Sequence, residues 1–264
     1  MAAPSARTHW HLLQQRAEAA GLNVWLVLAR DGVEENLRAV PRPRPAGSPT
    51  GAALPPSDLR PTDLHPGYQR VVLLGSSGRT FWDRFRAHQR RQTSSGPNPL
   101  DAFTERSVER LVNSLRGADP EAVAAYPFQH SRRLVPFLAL LQGTALLKTT
   151  PFGVIVHPEH GPWFAWRAAI FTALPFPAST LPRQPVCAPC PAPCVAACPA
   201  GAVSKEGFNW RACVDFRLSG PTCRLTCLAR LACPVGEDYR YGKEQMSYHY
   251  GASLNMIRKE SGPA

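Results

Sequence analysis

All eight cysteines of this 264-residue chain fall between Cys187 and Cys233, so its chemistry is to be sought there. The first group reads Cys187-x2-Cys190-x3-Cys194-x3-Cys198 and is closed by Pro199. The second comprises Cys213, Cys223, Cys227 and Cys233 and is closed by Pro234. Three close cysteines can wrap three corners of an iron–sulfur cubane, while a fourth, followed by Pro, points away and serves a second cubane, as in two-cluster ferredoxins. On that logic Cys187, Cys190 and Cys194 share a [4Fe–4S] cluster with Cys233, and Cys213, Cys223 and Cys227 share another with Cys198. Proline after the last cysteine redirects the chain, because it has no N–H to continue a hydrogen-bond ladder.

The spacing departs from the usual C-x2-C-x2-C-x3-C-P run. Here the second gap holds three residues, Pro191 to Pro193, and the second group has gaps of nine, three and five. The extra residue is expected to bulge outward, since its prolines aim no backbone donor at the sulfurs. Two zinc sites or disulfides are the alternative uses of eight cysteines. Zinc prefers separated CxxC knuckles, and disulfides belong to oxidising compartments. Residues 1–20 lack the apolar core of a leader, and nowhere do 18 apolar residues run together. The expectation is therefore a cytoplasmic protein with reduced thiols and no membrane span.

The formal charge is +11, carried by scattered arginines such as Arg84, Arg86, Arg90, Arg91, Arg132 and Arg133 rather than by one run. Two clusters at roughly −2 each would lower the total to about +7. Such a surface is either simply solvated or suited to an acidic or phosphate-bearing partner. Nucleic acid is not an expected partner, because aromatic residues are not interleaved with the basic ones. No Gly-rich phosphate loop or Ser-His-Asp pattern appears, which leaves nucleotide hydrolysis and nucleophilic catalysis without support.

The elements that must carry this module read as α+β, a mixed sheet with helices on its faces. Helical periodicity covers 8–20, Thr80 to about Gln92, Leu100 to Leu115, Leu134 to Leu147 and 241–259. Buried strands are expected at Leu22–Ala29 and Val71–Gly75, a further strand at Ala122–Phe128, and a hairpin formed by Phe152–His157 and Trp163–Thr172. Residues 41–66 are too rich in Pro, Gly and Ser for regular structure. Two domains follow, 1–176 as the α+β body and 177–264 as the Cys-rich, ferredoxin-like module with its closing helix.

The stretch Phe152-Gly-Val-Ile-Val-His157-Pro158-Glu-His160-Gly161-Pro-Trp163-Phe164-Ala-Trp-Arg167, its exit Thr172-Ala-Leu-Pro-Phe and the Cys module together resemble two related groups. One is the epoxyqueuosine reductases, which carry a similar hairpin followed by a double-cubane module. The other is the cobalamin-processing proteins of the methylmalonic aciduria type C group, which match His157-Pro158 and Gly161-Pro-Trp163-Phe164 but lack the clusters. Like the reductive dehalogenases, both share a nitroreductase-like fold that binds a corrinoid. The whole chain is most similar to bacterial proteins known only as ferredoxins, over roughly residues 70–258. The resemblance implies a nitroreductase-like body, cobalamin as a further cofactor, and a corrin pocket lined by His157 and Trp163. His157 could contact cobalt or a corrin amide, or be a hairpin His bonded to backbone. Trp163, Phe164 and Trp166 could face a flat ligand or be core, and His160 is expected at the surface. Where epoxyqueuosine reductases keep an acidic proton donor, this chain has Gln129-His130-Ser131, with no carboxylate. Their "AGLGWIGK" segment is replaced by Leu141 to Lys148. Both departures weigh against epoxyqueuosine chemistry.

Three functions are consistent with the sequence. The first is an iron–sulfur electron-transfer protein serving a redox partner protein. The second is a corrinoid-dependent oxidoreductase or cobalamin-processing enzyme fed by its own clusters. The third is a non-catalytic iron–sulfur sensor or scaffold.

Overall fold

A computed structural model describes residues 5–39, 61–92, 96–128, 137–141, 150–180 and 186–260. Gln129-His130-Ser131, Arg132, Arg133, most of the expected 134–147 helix and Gln142–Lys148 lie outside the described residues, as does most of 41–66. The chain divides into two compact units. In described residues, the first comprises 5–39, 61–92, 96–128, 137–141 and 165–180, and the second comprises 150–164 and 186–260. Residues 150–164 thus belong with the cysteines, although in sequence they precede the boundary expected at 176/177.

The first unit begins with α1 (Ala6–Ala19), capped by Ser5, whose side chain accepts from Thr8 N at 3.2 Å. Leu13 and Ala17, four residues apart, are its buried stripe. Gly21 ends the turn at φ +83°, and a Cβ there would stand 2.7 Å from Phe81 Cα, so only glycine fits. Then come β1 (Val24–Ala29), α2 (Arg30–Ala39), α3 (Pro61–Leu64), β2 (Arg70–Ser77), α4 (Thr80–Gln89), α5 (Pro99–Leu115), β3 (Val123–Ala125), α6 (Phe137–Leu140) and β4 (Phe164–Thr172). The strand order is β1-β2-β4-β3.

β1 runs antiparallel to β2 from Val24↔Gly75 to Ala29↔Arg70, and β3 antiparallel to β4. Gln69 N donates to Thr172 O at 2.8 Å while Gly75 lies against Ala165, so β2 and β4 also run in opposite directions. The expected mixed sheet is therefore antiparallel in its described pairings. The order of elements alone does not fix strand direction, which is set by register. Val71 to Leu74 are at most 1% exposed, which explains their unbroken apolar run. α1 packs on α5, α4 on β2 and α5, and α2 on β1, β2 and α6.

One buried polar cluster ties this unit together. Asp119 accepts from Thr172 Oγ1 at 2.6 Å, from Ala173 N at 2.8 Å and from His65 Nε2 at 3.1 Å. Burial pushes its carboxyl up, but these donors outweigh that and hold it below the usual carboxylate range.

The second unit contains α7 (Pro193–Ala196), α8 (Trp210–Ser219), α9 (Leu228–Leu231), a 3₁₀ turn (Glu237–Tyr239) and α10 (Lys243–Glu260). α7 packs on α9 and α8 on α10. The strand expected at Phe152–His157 is absent. Gly153 N donates to Thr150 O at 3.1 Å, and Gly153 turns at φ +69° against the Phe208 ring. Only an isolated bridge joins His157 to Gly161. Among the described residues no helix is long and apolar enough to cross a membrane.

Candidate metal centre

The two cysteine groups are built on matching local structures. α7 carries Cys194 and ends at Ala197 with φ −80° and ψ −7°, followed by Cys198-Pro199. α9 is capped by Cys227 and ends at Ala232 with φ −78° and ψ −7°, followed by Cys233-Pro234. Cys198 N donates to Val195 O at 3.3 Å, and Cys233 N to Arg230 O at 3.2 Å. Beyond each Cys-Pro pair, a glycine turns into the left-handed region, Gly201 at φ +58° and Gly236 at φ +72°. Neither helix could stand alone at four residues. Each exists because it packs on the other and on the apolar cluster of Phe152, Val156, Val203 and Ala229 around Cys194 and Cys233.

The thiols fall into two sets of four by their electrostatic influence on one another. Cys187 feels Cys233, Cys190 and Cys194, and Cys194 feels Cys233 and Cys190. Cys213 feels Cys227, Cys198 and Cys223, and Cys223 feels Cys227 and Cys198. Burial first, then these neighbours, pushes the thiols of Cys187, Cys194, Cys213, Cys223 and Cys233 upward. All eight are free, so no disulfide relieves the crowding. Among the described residues no group of three or more His, Cys, Asp or Glu could hold a metal ion as it stands.

Backbone amides are aimed at the sulfurs. Ala192 N donates to Cys190 Sγ at 3.4 Å, Val195 N to Cys194, Leu228 N to Cys223 and Val235 N to Cys233. Ala192 overturns the expected outward bulge. It is 9% exposed, and it alone among described non-glycine residues has positive φ (57°), which turns its N–H onto Cys190. The prolines on either side hold the chain while the alanine between them supplies the donor. All-thiol donor sets with N–H···S bonds and an apolar lining fit an iron–sulfur group, since those bonds and that burial tune such clusters.

The stretch expected to line a corrin pocket grips the second Cys-Pro turn. A Cβ on Gly161 (φ +58°) would overlap Val235 O, and one on Gly236 would overlap the His160 carbonyl. Tyr239 Oη donates to Glu159 Oε1 at 2.7 Å, and Arg230 donates to Pro162 O. Trp163 is wholly buried, with Arg230 Cζ 4.9 Å from its ring and Tyr241 edge-on at 5.7 Å. It is core here and presents no free face. His160, expected at the surface, is 7% exposed, because Tyr239, distant in sequence, covers its ring at 4.3 Å.

His157 is half-buried and stacked on His160 at 4.4 Å. Its Nδ1 accepts from Glu159 N at 3.1 Å and His160 N at 3.2 Å, so the neutral ring carries its proton on Nε2. Burial, then the His160 charge, lowers its pKa to about 4. An Nε2–H of this kind can donate to an amide oxygen but offers cobalt no lone pair.

Sequence reasoning passed over Arg217, Arg230 and Tyr250. Tyr250 Oη donates to Cys227 and receives from Arg230. Gly236 did carry a signal, because it repeats the Cys-Pro-x-Gly of Cys198 to Gly201.

No family model matches the sequence, and no curated protein matches it. Solved structures do. An epoxyqueuosine reductase from Bacillus subtilis superposes with TM-score 0.52 at 14% identity, over 90% of this chain and 69% of that one. An epoxyqueuosine reductase with an epoxyqueuosine-modified tRNA-Tyr stem loop gives TM-score 0.54 at 14% identity with the same coverage. The expectation that nucleic acid is no partner sits against that tRNA-bound neighbour. The C. elegans B12-trafficking protein CblC gives TM-score 0.51 at 14% identity over 96% of both chains. The chain is therefore similar in fold to the epoxyqueuosine reductases and to a B12-trafficking protein, the two groups its sequence resembles.

Proposed function

We propose that this chain is an iron–sulfur electron-transfer protein holding two [4Fe–4S] clusters in a ferredoxin-like module. One is assigned to Cys187, Cys190, Cys194 and Cys233, the other to Cys198, Cys213, Cys223 and Cys227. The observation that carries this is the crossed grouping of the thiols, each set completed by the Cys-Pro cysteine of the other group. A zinc alternative would draw four thiolates to about 3.8 Å from one another, as Zn–S bonds of about 2.3 Å require. The clusters would supply one-electron transfer, and the chain's part is to hold them under apolar cover with amides aimed at the sulfurs. A redox partner protein in a reducing compartment such as the cytoplasm would exchange the electrons. Anaerobic purification followed by metal and sulfide analysis tests this. About eight irons and eight sulfides per chain are expected, and zinc without visible absorption would overturn it.

A second reading is favoured by the fold likeness, which extends through the first unit and over 96% of a B12-trafficking protein. On it, a bound corrinoid supplies the reductive chemistry and the chain is an oxidoreductase or cobalamin-processing enzyme. His157 Nε2–H would donate to a corrin amide, with Trp163 packed beneath its loop. Adding cobalamin anaerobically should shift the corrin spectrum. No binding at tens of micromolar would leave electron transfer alone.

A further inference from the structure

Arg217 is 6% exposed on α8, and among the described residues no carboxylate lies within ion-pair reach of it. All its hydrogen bonds go to neutral acceptors: Nε to Cys223 O at 3.2 Å, Nη1 to Ser253 Oγ at 3.2 Å, and Nη2 to Tyr250 O at 2.9 Å and Arg224 O at 3.5 Å. Its guanidinium also lies 5.4 Å from the centre of the Tyr250 ring. Burying a cation without a counter-charge is costly even after relaxation, and tying α8 to α10 through carbonyls does not require a charge. By contrast, the arginine beside Cys233, Arg240, has its own carboxylate, Glu237 at 2.8 Å.

The missing negative charge is close at hand. Two members of the second set adjoin it: Arg217 Nε holds the Cys223 carbonyl, and Cys213 stands four residues before Arg217 on α8. A third member, Cys227, receives the hydroxyl of Tyr250, the residue whose ring and carbonyl Arg217 holds.

We propose that Arg217 is the built-in counter-charge of the cluster held by Cys198, Cys213, Cys223 and Cys227, and that with the Tyr250 hydroxyl it sets that cluster's reduction potential. The proposal rests on the two-cluster reading above. A four-thiolate cubane is an anion that gains a further negative charge on reduction, so a fixed cation beside it favours the reduced form. A hydrogen bond donated to a ligand sulfur acts in the same direction. Neither contact reaches the first set, so the effect is confined to one cluster.

The test is an EPR-monitored redox titration of the anaerobic holoprotein and of Arg217→Gln, Arg217→Lys and Tyr250→Phe. Iron and sulfide analysis comes first. A protein without two clusters fails the functional reading itself, whereas two clusters with unaltered potentials fail only this inference. Arg217→Gln is expected to shift one midpoint negative and leave the other in place, with Arg217→Lys restoring most of the shift. Tyr250→Phe should shift the same midpoint, less far. The affected signal should be the one lost in Cys213→Ala. Unchanged midpoints in Arg217→Gln, or a Lys variant shifted as far as Gln, overturn the inference. Should Arg217→Gln fail to hold the second cluster, its retention in Arg217→Lys supports a charge requirement, and its loss in both variants refutes one.

Discussion

Gly161 and Gly201 share a φ of +58° but differ in what surrounds them, and the difference can be measured. A Cβ at Gly201 would meet nothing within 4 Å, so Gly201→Ala carries only the cost of a left-handed alanine. That is about 1–2 kcal/mol. A Cβ at Gly161 would overlap Val235 O and stand 2.6 Å from its carbonyl carbon. These are backbone atoms one residue beyond Pro234, which no rotamer change can move aside. Overpacking adds about 1–3 kcal/mol or more, so Gly161→Ala should cost roughly 2–5 kcal/mol. Thermal unfolding of both variants under identical anaerobic conditions reads the contrast, at about 2–4 °C per kcal/mol for a chain near this size. The Gly161 variant should fall at least roughly 1.5 times as far as the Gly201 variant. It should also lose cluster iron, because relieving the overlap pushes the turn that carries Cys233. Equal Tm losses would show that the two backbones do not meet as described and would refute the interlock.

The crossed thiol sets predict crossed damage: Cys198→Ala should perturb the EPR signal of the cluster held by Cys213, Cys223 and Cys227, and Cys233→Ala that of the other; damage to the signal of its own sequence group instead would reject the pairing. Asp119 has a lowered folded pKa, so its contribution is present above the unfolded value near 4 and is lost as pH falls through the folded value. Asp119→Asn should cost about 1–3 kcal/mol in a urea titration at pH 7, with a smaller penalty near pH 3; a pH-independent penalty would contradict the charged network. His157, lowered to about 4, stays neutral in the folded chain while the unfolded chain takes up a proton below its ordinary 6.5. Its contribution should therefore be complete above 6.5 and lost between there and about 4; an NMR titration midpoint near 6.5 would reject its burial.

Local pattern made much of the frame legible. Leu13 and Ala17 in α1, the run Val71 to Leu74 in β2, and Val108, Leu111, Val112 and Leu115 in α5 announce their elements because burial imposes periodicity. α2 is not among the expected helices, because only Val33 and Leu37 are large apolar residues in it, set among Gly32 and five charged side chains. Phe152–His157 misled for the opposite reason. Its composition suits a strand, but Gly153 must turn against Phe208, a contact far along the chain that no local pattern records. The cysteine sets were readable because ligand type and spacing are local. Arg217 was not, since one arginine on a short helix looks like part of a solvated face until α10 covers it.

The resemblance of His157 to Phe164 suggested residues displayed to a ligand, yet most of that stretch is engaged with the rest of its own unit. Gly161 must be glycine because Val235 lies against it, and Gly236 must be glycine because His160 lies against it. Each requirement is invisible from its own segment, for either glycine alone reads as an ordinary turn. Met together, they bring two backbones closer than any side chain would allow, with Glu159–Tyr239 and Trp163–Arg230 fastening the flanks. A loop held this tightly to the Cys233 turn cannot shift without moving a proposed cluster ligand. Whatever His157 Nε2–H donates to is therefore mechanically linked to the first thiol set, and substitutions in the loop should be read by their effect on that cluster before any effect on a ligand.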